Sequence, residues 1–359
     1  METSESSGGY WPTEEWQYSS PEAQGMDSNK LVRLFEPSDS SIHSILIIRH
    51  GYIVLEAYAP GISSDSPQPI YSATKSFTSA MVGIALAKGY LASLDQRVLD
   101  FFPNRKIADP NPRKSAITLQ DLMTMMPGVD WWEWGPFDGS NTLIQMESSW
   151  DWVQFFLDRP MLEDPGTVWR YNTGCAHTLA AIVQQSTGMA LADFASENLF
   201  NPIGITNVRW PADSHGISYG GRGIYMTARD MARFGYLYVR QGVWEGQQVI
   251  PKEWVKESTQ KRTPVSVSPG EGYAYLWWVP GFGGVSAKGY MGQRIFVLPE
   301  QDLVVVITAA MGSQAMHTAP EMMMEHIILP AVTSWNAIPE NPAGLAELNA
   351  RVGAFGQRW

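Results

Sequence analysis

Ile70-Tyr71-Ser72-Ala73-Thr74-Lys75-Ser76-Phe77-Thr78-Ser79-Ala80-Met81 is the stretch around which the rest of the chain is arranged. On a helix, a serine and a lysine spaced as Ser72 and Lys75 share one face. Apolar residues recur at Phe77, Ala80, Met81, Ile84 and Ala85, the spacing of a helix stripe that packs inward. Gly89 supplies the stop. Ser72 is thereby set at a helix N-terminus, where unpaired backbone N–H groups and the positive dipole end favour developing negative charge. Lys75 falls one turn further in, on a helix whose other contacts are apolar. Burial and the helix dipole both disfavour its ammonium form. A base that is neutral near pH 7 is what a serine nucleophile requires.

The S-x-x-K pattern is not specific by itself. Serine is a common N-cap, and a lysine in a first helical turn is commonly just solvated. A second copy, Ser258-Thr259-Gln260-Lys261, sits in the polar run 256–262 with Pro264 close behind and no apolar helix following. It reads as a surface coincidence.

A chain of 359 residues has room for two domains and a sizeable core. Its net charge of −11 argues against a nucleic-acid partner, and no basic block points to a membrane surface. The single cysteine, Cys175, excludes an intramolecular disulfide and reads as a buried free thiol, which suits a cytoplasmic address. Residues 1–25 are polar and acidic, unlike a secretory signal, and no apolar run reaches the length of a membrane span. Fifteen tryptophans, several of them clustered, hint at an aromatic-walled pocket.

Residues 1–25 read as an irregular arm along the body. A short helix over 28–35 turns Leu31, Leu34 and Phe35 inward. Strands at 44–49 and 52–57 flank His50-Gly51 as a hairpin, with His50 a turn residue. After Leu91 the texture becomes short helical segments broken by Pro, Gly and Asp. Helices are predicted over 119–126, 150–157, 176–185 and 192–200, the last closed by Asn201-Pro202-Ile203-Gly204. Between the first two, the loop Asp130-Trp131-Trp132-Glu133-Trp134-Gly135-Pro136-Phe137 is either a local core or a substrate wall. Tyr171 lies at the junction of the turn 165–174 with the next helix, where a phenol can point into a cleft. Thr227 and Asp230 have capping-box spacing ahead of a helix through Phe234, Leu237 and Val239. Strands return at 273–279, 296–298 and 303–308, the last apolar enough to be covered on both faces. A helix over 320–329 covers one of them. Strands at both ends with helices between predict an α/β sheet built from both termini. The expected division is a discontinuous α/β domain (26–90 and 227–359) interrupted by a helical domain (91–226).

Ser72-Ala73-Thr74-Lys75, Tyr171-Asn172-Thr173 and Ala287-Lys288-Gly289-Tyr290 stand in an order that resembles the serine β-lactamase/penicillin-binding-protein superfamily. The likeness is closest to the class C β-lactamase-like branch with its esterases and 6-aminohexanoate-dimer hydrolases, and it runs from about Ser20 to Ala310. It takes in Asn201-Pro202-Ile203-Gly204, residues 226–235 and Tyr275-Leu276-Trp277-Trp278. The resemblance implies an α+β sandwich: an antiparallel sheet covered by helices, with an inserted, mainly helical domain. It makes Ser72 the nucleophile of an acyl-enzyme, and Lys75 and Tyr171 the general base and acid. The backbone N–H groups of Ser72 and Tyr290 become the oxyanion hole. No cofactor or metal is implied.

Two positions depart from the family pattern. Thr173 stands where Y-x-N has an amide, and Ala287 stands where K-T-G has its first lysine. Lys288 is one place late, and on a strand one place turns a side chain to the other face. Penicillin recognition is therefore not expected. A small ester or amide without an essential carboxylate is the expected substrate, with β-lactamase, D-aminopeptidase or DD-peptidase activity, or a non-catalytic binding role, as the alternatives. Trp131, Trp132, Trp134, Thr173, Tyr225, Trp277, Ala287 and Gly289 are the candidate pocket walls. A competing nucleophile, Ser218 in Gly216-Ile217-Ser218-Tyr219-Gly220, lacks the strand and helix that a hydrolase elbow needs on its flanks. His317 and His326 read as a loop and a helix residue. The assembly expected is a monomer or homodimer.

Overall fold

The computed structural model of the chain describes residues 10–36, 41–265 and 270–357. Eight strands form one antiparallel sheet in the order Tyr52–Tyr58, Ile42–Arg49, Leu303–Ala309, Gln293–Leu298, Val285–Gly289, Trp278–Val279, Gly272–Tyr273 and Thr263–Pro264. The N-terminal hairpin thus lies beside the last strand, with Ile45 opposite Ile307 and Ile47 opposite Val305. His50 and Gly51 turn it with φ of 51° and 86°. That is the left-handed pair a two-residue hairpin requires.

Alternation along the central strand divides the core in two. Val304 and Val306 enter one apolar cluster, while Leu303, Val305 and Ile307 enter the other. The first face carries the helices Thr74–Ala87 and Ala228–Val239. The second is covered by Ser28–Leu31, Ala315–Met323 and Pro342–Phe355. The arm is pinned to the body: Trp16 is buried, and Arg233 Nε donates to Pro12 O at 2.8 Å. Residues 1–9 lie outside the described residues.

Local backbone decides where the expected elements differ. Residues 273–279 form two short strands, because Leu276 adopts φ 60° and Ala274 N bonds Trp277 O, closing a tight turn. The helix expected over 119–126 ends at Met123, ahead of Met125 with φ 59°. The helix expected at 320–329 starts earlier, at Ala315, and widens into a π-turn over Met324–Ile328. His317 is therefore a helix residue, not a loop residue. Only half of the capping box forms at Thr227, because Asp230 turns its carboxylate to Arg233 at 2.6 Å. The C-terminal helix Pro342–Phe355 buries only Gly344, Leu348 and Phe355, a stripe too thin to read in the sequence. Among the described residues no helix is long and apolar enough to cross a membrane.

Candidate functional site

The stretch around Ser72 does not begin as an α-helix. Tyr71–Ala73 is a 3-10 turn entered through Tyr71 at φ 47°, and the α-helix Thr74–Ala87 follows without a break. Both threonines on its polar side are bonded to the 220s loop: Ile224 N donates to Thr74 Oγ1 at 3.2 Å, and Thr78 Oγ1 donates to Gly220 O at 2.6 Å. These bonds carry the Gly221 carbonyl onto Lys75, which lies on the helix between the two threonines. Gly221 fits there because a Cβ would lie 2.4 Å from Thr173 Cγ2.

Lys75 is 1% exposed. Its Nζ donates to Ser72 Oγ at 3.1 Å, Thr173 Oγ1 at 3.0 Å and Gly221 O at 2.7 Å. Nζ also lies 4.7 Å from the centre of the Tyr171 ring. All three acceptors are neutral, so nothing in direct contact offsets the loss of water around the ammonium. Burial pushes the Lys75 pKa down to about 8, against the opposing pull of the Glu133 charge. Ser72 itself remains partly exposed.

Tyr171 precedes the helix Thr173–Thr187, whose N-cap is Asn172, accepting from Cys175 N at 3.1 Å. The middle residue of the Tyr-Asn-Thr triplet thus caps the helix and leaves the other two at the site. Burial pushes the Tyr171 phenol above its ordinary value, and the nearby Glu133 charge adds to this, while a hydrogen bond with Ser72 opposes it. The Tyr171 ring packs 5.5 Å from Trp134 and 5.7 Å from Trp278.

Opposite Ser72 lies the end of the strand Val285–Gly289. A Cβ on Gly289 would sit 2.2 Å from Ile70 O, so only glycine allows the strand this close to the turn holding Ser72. A second 3-10 turn, Tyr290–Gly292, starts at once. The amides of Ser72 and Tyr290 therefore both belong to opening turns, where N–H groups lack partners within the turn. The rings of Tyr71 and Tyr290 meet edge to face at 5.7 Å, and Phe137 adds a third ring 5.2 Å from Tyr290.

Lys288 lies across from Arg294, on the sheet face that receives Glu321 from the helix Ala315–Met323. It is ion-paired with Glu271 and, at 2.9 Å, with Glu321, and its Nζ stands 4.9 Å from the Trp278 ring. Two carboxylates already occupy this cation. Ala287 is fully buried in the core of the other face.

Three expected pocket walls are corrected: Ala287, buried as just described, and two tryptophans. Trp131 is 2% exposed and packs beneath the helix of Cys175, against Phe155, Phe156 and the bare Cα of Gly174. Trp277 has no exposure, stacks on Phe234 and packs at a tilt against Tyr238 in the main core. The backbone turn at Leu276 points Trp277 inward and leaves Trp278 beside Tyr171. Trp132 is 56% exposed, and Tyr225 is occupied by Arg209, whose guanidinium carbon lies 3.7 Å from the ring centre. Ser218 is buried in a loop, with its hydroxyl accepting from Ala192 N at 3.2 Å. In the second S-x-x-K copy, Ser258 is buried inside the helix Lys252–Thr259, while Lys261 lies beyond its end and is exposed.

The residue that sequence reasoning missed is Glu133. Its Oε2 accepts from Trp131 Nε1 at 2.6 Å and Thr173 N at 2.8 Å, and its Oε1 accepts from the Thr173 hydroxyl at 2.8 Å. The available signal was a lone carboxylate inside an otherwise aromatic loop. Gly221 and the ion pair of Arg222 with Glu147 at 2.6 Å were also missed. Gly221 and Arg222 lie in a glycine run that suggests only a loop, and Glu147 lies in the helix Thr142–Ser148 with no local sign of its partner. Among the described residues no group of three or more His, Cys, Asp or Glu is placed to hold a metal ion.

A family model described as Beta-lactamase matches residues 41–320. The 6-aminohexanoate-dimer hydrolase of Paenarthrobacter ureafaciens is 24% identical over 285 residues, which cover 73% of this chain and 71% of that protein. Among solved structures, EstCE1, a hydrolase with promiscuous acyltransferase activity, superposes with a TM-score of 0.69 at 16% identity, covering 86% of this chain and 98% of that one. A D-stereospecific amidohydrolase from Streptomyces sp. gives 0.63 at 16% identity, covering 82% and 97%. The fold is that of the serine β-lactamases and penicillin-binding proteins, an antiparallel sheet with helices on both faces.

Proposed function

For a chain that belongs to the Beta-lactamase family, we propose the activity of a serine hydrolase that forms an acyl-enzyme on Ser72 and cleaves a small, uncharged ester or amide. The observation that carries this reading is Lys75 Nζ at 3.1 Å from Ser72 Oγ, buried and surrounded by neutral acceptors. A lysine so placed is deprotonated readily enough to take the serine proton near neutral pH.

Ser72 Oγ attacks the carbonyl carbon while its proton passes to the Lys75–Tyr171 pair. The two share that proton as a coupled system, and Tyr171 hands it to the leaving group. The developing oxyanion is met by the amides of Ser72 and Tyr290. Water then attacks the acyl ester and the pair works in reverse. The names of its relatives, a 6-aminohexanoate-dimer hydrolase, a hydrolase with promiscuous acyltransferase activity and a D-stereospecific amidohydrolase, support this reaction class. The commitment of Lys288 to Glu271 and Glu321 supports a substrate without an essential carboxylate. The rings of Tyr71, Trp134, Tyr171, Trp278 and Tyr290 support an apolar group on the substrate.

The test is labelling with a fluorophosphonate probe, locating the adduct by peptide mass spectrometry. An adduct on Ser72, absent in Ser72→Ala and accompanied by p-nitrophenyl ester hydrolysis, is the expected outcome. An adduct on Ser218 would overturn the mechanism. A folded protein with no adduct would favour the non-catalytic reading.

A further inference from the structure

Glu133 joins the catalytic lysine through a single hydroxyl. Its Oε1 accepts the Thr173 O–H at 2.8 Å, and the Thr173 oxygen accepts from Lys75 Nζ at 3.0 Å. A hydroxyl has one proton to give. Because that proton is drawn to the carboxylate, the lone pairs of Thr173 are turned toward Lys75. The carboxylate is itself fixed on the other side by Trp131 Nε1 and Thr173 N, both on Oε2. Its loop is anchored where Trp132 N donates to Thr142 Oγ1 at 3.0 Å. Four residues from three separate segments, the loop of Glu133, the helix start at Thr173 and the turn and helix of Ser72 and Lys75, thus form one directed chain from carboxylate to nucleophile.

We propose that Glu133 is a positioning residue of the reaction, holding Thr173 as a hydrogen-bond acceptor for Lys75 and so keeping the lysine aimed at Ser72. This rests on the serine-hydrolase reading above. Thr173 stands where the family motif has an amide, and the carboxylate–hydroxyl pair does the orienting from that position. Glu133 also contributes charge. Lys75 is faced by Glu133, Glu147, Cys175 and Arg222, and of these Glu133 has the largest effect, opposing the loss of the ammonium proton.

Glutamine is the discriminating substitution. Glu133 accepts three hydrogen bonds on two oxygens, whereas a glutamine has one oxygen and one NH2. With its oxygen kept by Trp131 and Thr173 N, the NH2 faces the Thr173 oxygen and turns that hydroxyl's proton toward Lys75. The ammonium form then loses both an acceptor and a nearby negative charge, so it gives up its proton more easily.

The experiment is the pH dependence of kcat and kcat/KM for p-nitrophenyl butyrate with wild type, Glu133→Gln and Glu133→Asp, each also labelled with the fluorophosphonate. In Glu133→Gln the ascending limb is expected to move about one unit to lower pH. The plateau kcat should fall about tenfold, with KM little changed. Glu133→Asp, which restores the charge, should return the limb toward the wild-type position. Should Glu133→Gln fail to fold, Thr173→Val takes its place. It removes the acceptor directly and should move the limb the same way. An unmoved limb in a folded Glu133→Gln that still labels on Ser72 overturns the role of Glu133 alone. Absence of wild-type labelling on Ser72 overturns the reading on which it rests.

Discussion

Lys75 and Lys288 are both nearly buried ammonium groups beside an aromatic ring near one cleft, yet their surroundings make them opposites. Lys75 meets only neutral oxygens and the face of Tyr171, with its nearest carboxylate one hydroxyl away. Lys288 lies between Glu271 and Glu321, and Glu321 is shared with Arg294 at 2.9 Å. A buried ammonium among neutral dipoles is held at the expense of stability and releases a proton readily. One gripped by two carboxylates is a structural counter-charge, whose removal would take the cation from Glu271 and leave Glu321 with Arg294 alone. The same side chain thus has only neutral direct partners in one place and two carboxylates in the other. The difference lies in the charge of the direct partners more than in depth.

The largest test of this contrast is Lys75→Arg. A guanidinium keeps the positive charge but does not deprotonate in a protein. If deprotonation is what Lys75 contributes, kcat/KM for a p-nitrophenyl ester should fall about 10³-fold or more. Retained activity would show that only the charge mattered.

Replacing each lysine by methionine should move stability in opposite directions, as read by urea unfolding at pH 7. Lys288→Met should lose about 2–3 kcal/mol, because Glu271 loses its cation and Glu321 is left with Arg294 alone. Lys75→Met should gain up to about 3 kcal/mol, the equivalent of lowering a lysine from its ordinary 10.5 to about 8. The sign follows from proton counting. Below pH 8 both folded and unfolded chains carry the proton, and folding bears the whole penalty of burying the charge. Between about 8 and 10.5 the unfolded chain holds more protons, so wild-type stability climbs with pH. The advantage of Lys75→Met should shrink across that window and vanish above it.

The pH–rate profile is the gentler check. With neutral Lys75 as the active form, kcat/KM should rise to half its plateau near pH 8. The smallest expected effect is Lys288→Met on turnover of an uncharged ester, a change of only a few-fold while stability falls. A collapse of activity without loss of fold would move Lys288 into the reacting machinery.

Much of this contrast was legible before any coordinates. The S-x-x-K spacing and the apolar stripe behind it are local facts, and helix geometry converts them directly into two side chains on one face. The displacement of Lys288 from the family lysine position is equally local, since strand alternation turns a one-residue offset into a change of face. Trp131 and Trp277 were misread because tryptophan suits a cleft and a core equally well. Leu276 at φ 60° and the bare Cα of Gly174 send these two rings inward. Glu133 was passed over because nothing in an aromatic loop says which distant backbone amide its carboxylate will meet.

The sequence by itself determined the sheet built from both ends of the chain, the helix that follows Ser72 and the order of the three motifs. Periodicity, capping and turn residues act over a few positions and leave a local record. Only the tertiary structure decided what surrounds the lysine. The Thr173 hydroxyl and the Gly221 carbonyl that meet Lys75 lie 98 and 146 residues away along the chain. A pKa answers to charge and solvent within a few ångströms, whatever the separation in sequence. Those neighbours are set by which loops the packed core brings over the helix, and no short-range pattern encodes that.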